Sequence, residues 1–109
     1  MGERMIEITD TNFELEVIQS VIPVVVDFYA DWCNPCLQIA PILEELELEN
    51  SDRYRIGKYN VDENKDYAIE WGVQGIPTIL IFVNGELVER LVGVMSKTEL
   101  EEKIQEKIS

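Results

Sequence analysis

Ala30-Asp31-Trp32-Cys33-Asn34-Pro35-Cys36 is the stretch on which the reading of this chain turns. It follows an apolar run, Val24-Val25-Val26, and precedes a helical pattern. Both cysteines of the protein lie in it, separated by Asn34 and Pro35. Pro35 suits the first turn of a helix, where its missing N–H has no partner to lose, and it stiffens the loop. The expected order is strand, tight loop, helix, with Cys33 at the helix N-terminus and Cys36 one turn further in. Unpaired N–H groups and the helix dipole favour an anion there, which lowers a thiol pKa. Cys33 is the expected attacking thiolate. Cys36, more sheltered, is the expected resolving thiol. Such a pair closes a disulfide and reopens it, which is two-electron chemistry that needs no cofactor.

Outward from this stretch, the patterning is continuous. Met5 to Ile8 reads as a short strand. Thr11 with Glu14 has the spacing of a capping box, and Phe13 to Ser20 follows as a helix. Pro23 opens a strand from Val24 to Tyr29, whose β-branched start lacks alternation and so marks a strand covered on both faces. The helix after the cysteines runs from about Pro35 to Glu49, with Pro41 expected to kink it near Leu37. Arg53 to Asn60 is a strand, and Lys65 to Trp71 a short helix. Thr78 to Val83 and Glu86 to Val92 are strands joined by Asn84-Gly85, a strong two-residue hairpin signal. Ser96 with Glu99 is a second capping box, and Leu100, Ile104 and Ile108 share one helix face. The early crossovers imply parallel pairing and the hairpin an antiparallel edge. The expected fold is α/β, a mixed central sheet of about five strands with helices on both faces.

Composition bounds the function. A chain of 109 residues is expected to form a single domain, 1–109, that buries roughly two-thirds of its unfolded surface. Nine Lys and Arg stand against 22 Asp and Glu, a net charge of −13. That balance argues against nucleic acid and anionic membrane surfaces as partners. Glu44, Glu45, Glu47 and Glu49 crowd one helix and Glu99, Glu101, Glu102 and Glu106 another, and both groups read as solvated faces. The first residues, Met1-Gly2-Glu3-Arg4, open no secretory signal, and Ile6 stands where myristoylation wants Ser or Thr. The longest apolar run, Ile79 to Val83, is too short to span a bilayer. A cytoplasmic location is expected. In a reducing cytosol a close cysteine pair is catalytic or metal-binding more often than structural. Zinc needs about four ligands, and the chain has no histidine and no third cysteine, so no metal is expected. Two unrelated core cysteines are the remaining plain alternative.

Taken together, these motifs resemble the thioredoxin family. Asp27-Phe28-Tyr29-Ala30-Asp31-Trp32-Cys33-Asn34-Pro35-Cys36 is similar to that family's active-site segment. Pro41 stands where the family kinks its helix, and Lys58-Tyr59-Asn60-Val61-Asp62 resembles its third strand. Gly72-Val73-Gln74-Gly75-Ile76-Pro77-Thr78 resembles its cis-proline segment, and Asn84-Gly85 and Gly93 match its hairpin and a late glycine. The resemblance covers nearly the whole chain and is weakest over the first twenty or so residues.

The resemblance implies a thioredoxin fold and a protein-disulfide reductase. Cys33 attacks a disulfide in a client protein and Cys36 releases the product. Asp27 lies under the site and helps take the proton from Cys36, and Lys58 neighbours Asp27 and tunes it. Trp32 flanks the site on the surface. Ile76 precedes a cis bond to Pro77, and its backbone pairs with an extended client segment. Gly93 lets that segment approach closely. The implied partners are disulfide-containing clients and a thioredoxin reductase or equivalent, with the protein itself a monomer. Each residue also has a plainer role open to it. Asp27 could be a hydrogen-bonded buried Asp, Lys58 a surface lysine, Trp32 a core residue, Ile76-Pro77 a trans turn, and Pro41 and Gly93 purely architectural.

Three residues depart from the commonest family form: Asn34 for glycine, Leu37 for lysine and Tyr29 for tryptophan. Asn34 can donate or accept near the Cys33 sulfur and so act on redox poise. Leu37 removes a positive charge beside the thiols. Two other readings stay open at this level. One is a binding module on the same scaffold whose thiols only sense redox state. The other is a glutaredoxin-like enzyme reduced by glutathione.

Overall fold

A computed structural model describes residues 5–109, and residues 1–4, on which part of the signal and myristoylation reading falls, lie outside the described residues. A five-stranded sheet has the order β1-β3-β2-β4-β5. Its strands are β1 (Ile6–Ile8), β2 (Val24–Tyr29), β3 (Arg55–Asn60), β4 (Thr78–Val83) and β5 (Glu86–Val92). β3 runs parallel to both β1 and β2, while β4 is antiparallel to β2 and to β5. The expected mixed sheet is therefore present. Asn84 and Gly85 both have positive φ, 53° and 80°, which is the twist a tight hairpin needs.

Helices α1 (Asn34–Asn50), α2 (Asp66–Glu70) and α3 (Lys97–Ile108) complete the architecture. Side chains alternate across the sheet, so β2 feeds two cores. Val25 packs with Ile39, Leu43 and Leu46 of α1 and with Leu100 and Ile104 of α3. Val24, Val26 and Phe28 pack on the other face with Phe13, Val17 and Ala68. Covering on both faces is why Val24-Val25-Val26 shows no alternation.

Four details differ from expectation. The first helical segment is a π-helical turn over Glu14–Ile18 with Gln19 N–H donating to the Glu14 carbonyl, and Thr11 does not cap it. The capping pair is Thr9 and Asn12: Asn12 Oδ1 accepts from Thr9 N–H at 2.7 Å and Thr9 Oγ1 accepts from Asn12 N–H at 3.3 Å. The cap falls earlier because Asp10 is already tied down, its N–H donating to Asn64 Oδ1 at 2.9 Å and its carboxylate accepting from Tyr59 Oη and from the N–H groups of Lys65 and Asp66. Second, β3 begins at Arg55 rather than Arg53, since Asn50 O accepts from the Arg53 and Tyr54 N–H groups and holds them in a turn. Third, α2 spans Asp66–Glu70, one residue shorter at each end than expected, while α1 is one residue longer at each end and runs unbroken across Pro41.

Fourth, Glu47 is not on a solvated face. It is buried, and its carboxylate accepts from Ile56 N–H at 2.8 Å. The pairing of β1 with β3 starts at Gly57, so Glu47 supplies an acceptor where no β1 residue pairs with Ile56. The other acidic residues of α1 are exposed, and Lys97 of α3 reaches back to Glu45 at 3.1 Å and Glu49 at 2.8 Å.

Candidate active site

Topology collects the site at one end of the sheet. β2 and β3 end there, and β4, being antiparallel, starts there. β5 runs back to the same end, where Gly93 N–H donates to the Pro77 carbonyl at 2.9 Å. Residues far apart in the chain, Tyr29 to Cys36, Asn60 to Asp62, Ile76 to Thr78 and Gly93, thus meet along a single rim.

The cysteines are bridged, with Cα atoms 5.2 Å apart. Cys33 is the N-cap of α1, in extended conformation with φ −91° and ψ 107°. Its Sγ accepts from Cys36 N–H at 3.2 Å, and its carbonyl accepts from Leu37 N–H at 3.1 Å. Asn34 and Pro35 are exposed in the first turn. The sulfur of Cys33 therefore lies where the first turn aims its free N–H groups, and reduction would leave a thiolate with a donor already in place. Both cysteines are well covered in the bridged state, 4% and 2% exposed, so they differ little in shelter. Ala30 completes their cluster, with Tyr29, Val61 and Ile76 packed against it.

Asp27 interrupts the apolar run of β2 and lies 2% exposed, and its Oδ1 has no hydrogen-bond partner. Burial pushes its carboxyl up to about 7, with the nearby Lys58 charge opposing the rise. Lys58 is its register partner on β3. Both line a cavity of about 190 Å³ together with Met5, Cys36, Leu37 and Ala40. The cavity is several times the volume of a water molecule and has polar walls, so water can bridge Asp27 and Cys36 there.

The opposite side of the bridge is shaped by backbone. The Ile76–Pro77 peptide bond is cis, and the Ile76 carbonyl oxygen lies 3.8 Å from Cys33 Sγ. Pro77 is buried, while Ile76 is partly exposed. Thr78 Oγ1 donates to the Gly75 carbonyl, bracing the turn. Gly93 has φ 95° and open space where a Cβ would be. Trp32 lies on the surface at 69% exposure, and its indole N–H donates to Asp62 Oδ2 at 2.8 Å. Cys33, Cys36, Asn34, Pro35, Trp32, Ile76, Pro77 and Gly93 thus lie along one rim, with Asp27 and Lys58 in the cavity beneath it, while Pro41 lies further along α1. Asn34 makes no hydrogen bond to either sulfur among the described residues. Asp62 was missed, because its partner is thirty positions away and no local pattern announces it.

Among the described residues no cluster of three or more His, Cys, Asp or Glu side chains is placed to hold a metal, and no helix is long and apolar enough to cross a membrane.

Comparison with known proteins adds the following. The family model described as Thioredoxin matches residues 4–106. A protein named Thioredoxin from Acidithiobacillus ferridurans is 45% identical over 100 residues, covering 92% of this chain and 93% of its own. Another, from Buchnera aphidicola, is 45% identical over 106 residues, covering 97% of this chain and 98% of its own. Thioredoxin 1 of Synechococcus elongatus is 44% identical over 93 residues, covering 85% of this chain and 87% of its own.

Proposed function

The chain belongs to the thioredoxin family, and from its activity as a thiol-disulfide oxidoreductase that reduces disulfides in client proteins we propose the following roles for its residues. The Cys33 thiolate attacks one sulfur of a client disulfide. A Cys33–client bond forms, the client bond breaks, and the client sulfur that leaves takes a proton from solvent. Cys36 then gives its proton to the Asp27 carboxylate and attacks Cys33 Sγ. The Cys33–Cys36 bond forms, the second client sulfur leaves and is protonated, and the client has gained two electrons. A thioredoxin reductase or equivalent returns two electrons to the pair.

The observation that carries this reading is the Cys33 sulfur as N-cap of α1, accepting the Cys36 N–H at 3.2 Å. A donor aimed at that sulfur favours the thiolate. Asp27, held up to about 7, titrates where proton transfer from a thiol is most effective. Lys58 sets that value by opposing the burial. Ile76 supplies main-chain groups beside the sulfur for an extended client segment, Pro77 and Gly93 shape the floor, and Trp32 flanks it. Pro35 stiffens the loop and Asn34 acts on its backbone freedom. The chemistry needs no cofactor and no metal. The reading places the protein in the cytoplasm as a single-domain monomer over 1–109, without nucleic-acid or membrane partners.

Reduction of insulin by a small dithiol tests it. Precipitation of the freed chain should be accelerated by the protein and not by Cys33→Ser. No acceleration would instead favour a binding module with redox-sensing thiols, and turnover driven by glutathione a glutaredoxin-like enzyme.

A further inference from the structure

The rim around the bridge is apolar at its centre and acidic at its edge. Trp32, Leu37 and Val92 are exposed at 69%, 55% and 63%. Around them stand carboxylates. Asp31 and Glu44 line the mouth of the cavity beside Cys36, and Asp62 holds Trp32. Burial is what chiefly raises the pKa of the Tyr29 hydroxyl, and the charges of Asp31, Glu7 and Glu63 add to that rise, while the ring itself packs against the cysteines. Asp31, Glu44, Asp62 and Glu63 are all exposed. Asp27 lies in the lining of the same cavity, and its buried Oδ1 has no hydrogen-bond partner.

The described cations do not neutralise this edge. Arg55 is paired with Glu16, and Lys97 with Glu45 and Glu49. Arg53 bonds Gln105, and Arg90 bonds the Trp71 carbonyl. Lys103 and Lys107 lie on α3, and Lys65 caps α2 beyond Glu63. Lys58 alone among the described cations lines the cavity, and it is the register partner of Asp27. A segment laid beside the Ile76 carbonyl would therefore carry its flanking side chains over a rim whose charges, among the described residues, are mostly negative, and at physiological salt charges are felt over roughly 8 Å.

We propose that the acidic edge formed by Asp31, Glu44 and Glu63 makes this site select client disulfides flanked by Lys or Arg. This rests on the disulfide-reductase reading above and names the class of client. The carboxylates steer encounter and stabilise the mixed disulfide with a basic segment, and they repel an acidic one. The apolar centre supplies contact without regard to charge.

The test uses two peptides of one sequence, each closed by a disulfide, one with Lys and one with Glu on both sides of the attacked cysteine. kcat/KM is measured for each against increasing NaCl, and each rate is divided by the rate with the neutral dithiol dithiothreitol alone, which removes intrinsic differences in reactivity. The expected ratio is about tenfold in favour of the Lys peptide at low salt, falling toward unity at about 0.5 M NaCl. In the triple variant Asp31→Asn, Glu44→Gln, Glu63→Gln the ratio should fall to about twofold or less at low salt, each rate being divided by that variant's own rate on an uncharged peptide. These three side chains are exposed, so their neutral isosteres should leave the fold intact. Equal normalised rates for the two peptides, or a preference that survives in the triple variant, overturn the proposal while leaving the reductase reading in place. Failure to reduce any of the peptides faster than dithiothreitol alone overturns the reductase reading and the proposal with it.

Discussion

Asp27 and Lys58 are register partners on neighbouring parallel strands and line one cavity with Cys36, the carboxyl 2% exposed and the ammonium partly open to solvent. Burial and charge work against each other here. Burial alone drives the carboxyl toward its neutral form, and Lys58 pulls it part of the way back. The outcome is a carboxyl that titrates near neutral pH in a cavity that Cys36 also lines.

The stability consequence has a definite sign. A carboxyl raised from 3.8 to about 7 binds a proton in the folded state that the unfolded chain has already lost. The associated stability is intact below about pH 4, is lost as pH rises toward 7, and stays lost above it. By then the loss is about 4 kcal/mol. Asp27→Ala removes this slope. Urea titrations between pH 4 and pH 9 should show the variant gaining on the parent as pH rises, by an amount of that order less the effect of the lost volume.

The same substitution should slow catalysis. Without Asp27, Cys36 must lose its proton to solvent, which at neutral pH accepts it less readily than a positioned carboxylate does. Resolution of a mixed disulfide, followed by stopped flow, should fall about tenfold or more at pH 7. The rate should then rise into the alkaline range, where the parent has already levelled off.

Lys58→Met should also move the profile toward alkaline pH, but without the loss of rate that Asp27→Ala brings. With its opposing charge gone, the Asp27 carboxyl rises further above 7. The pH at which resolution becomes half-maximal should shift upward, while the maximal rate changes little. The carbon NMR shift of the Asp27 carboxyl against pH reads this directly.

Asp62 fixes the attitude of Trp32 through a hydrogen bond of 2.8 Å at an exposed site. Exposed bonds of this kind contribute about 1 kcal/mol or less to stability. Asp62→Ala should therefore leave the unfolding midpoint almost unchanged. It should raise KM for a protein client by roughly threefold, with kcat little altered, since only contact area is disordered. Asp62→Asn retains an acceptor for the indole N–H and should restore KM.

Gly85 tests the scaffold rather than the site. A Cβ there would lie 2.5 Å from the Ile18 carbonyl oxygen, and φ is +80°. Gly85→Ala should cost about 2 kcal/mol or more by denaturant titration. The oxygen is backbone, so it cannot simply turn aside.

Much of this was legible in the chain. Strands β4 and β5 have the bounds that Asn84-Gly85 and the flanking apolar runs imply. The cysteine stretch announces its own loop and helix. Local pattern failed where distant residues decide. Thr11 has the spacing of a cap, yet Asp10 is held by Asn64, Tyr59 and the start of α2, which moves the cap to Thr9. Glu47 was readable in principle, for it falls four residues after Leu43 on the buried stripe of α1. Its charge pointed to solvent, while its position pointed to the Ile56 N–H, which no β1 residue pairs and from which Glu47 accepts. Asp62 as the partner of Trp32 had no signal at all.

The division of labour between the two sulfurs is tested by trapping. Reduced Cys36→Ser and reduced Cys33→Ser are each mixed with a disulfide client at neutral pH, quenched with acid, and weighed intact. The account predicts a stable covalent adduct on Cys33 in the first variant and none in the second. An adduct that forms only through Cys36, or no adduct in either variant, would contradict it.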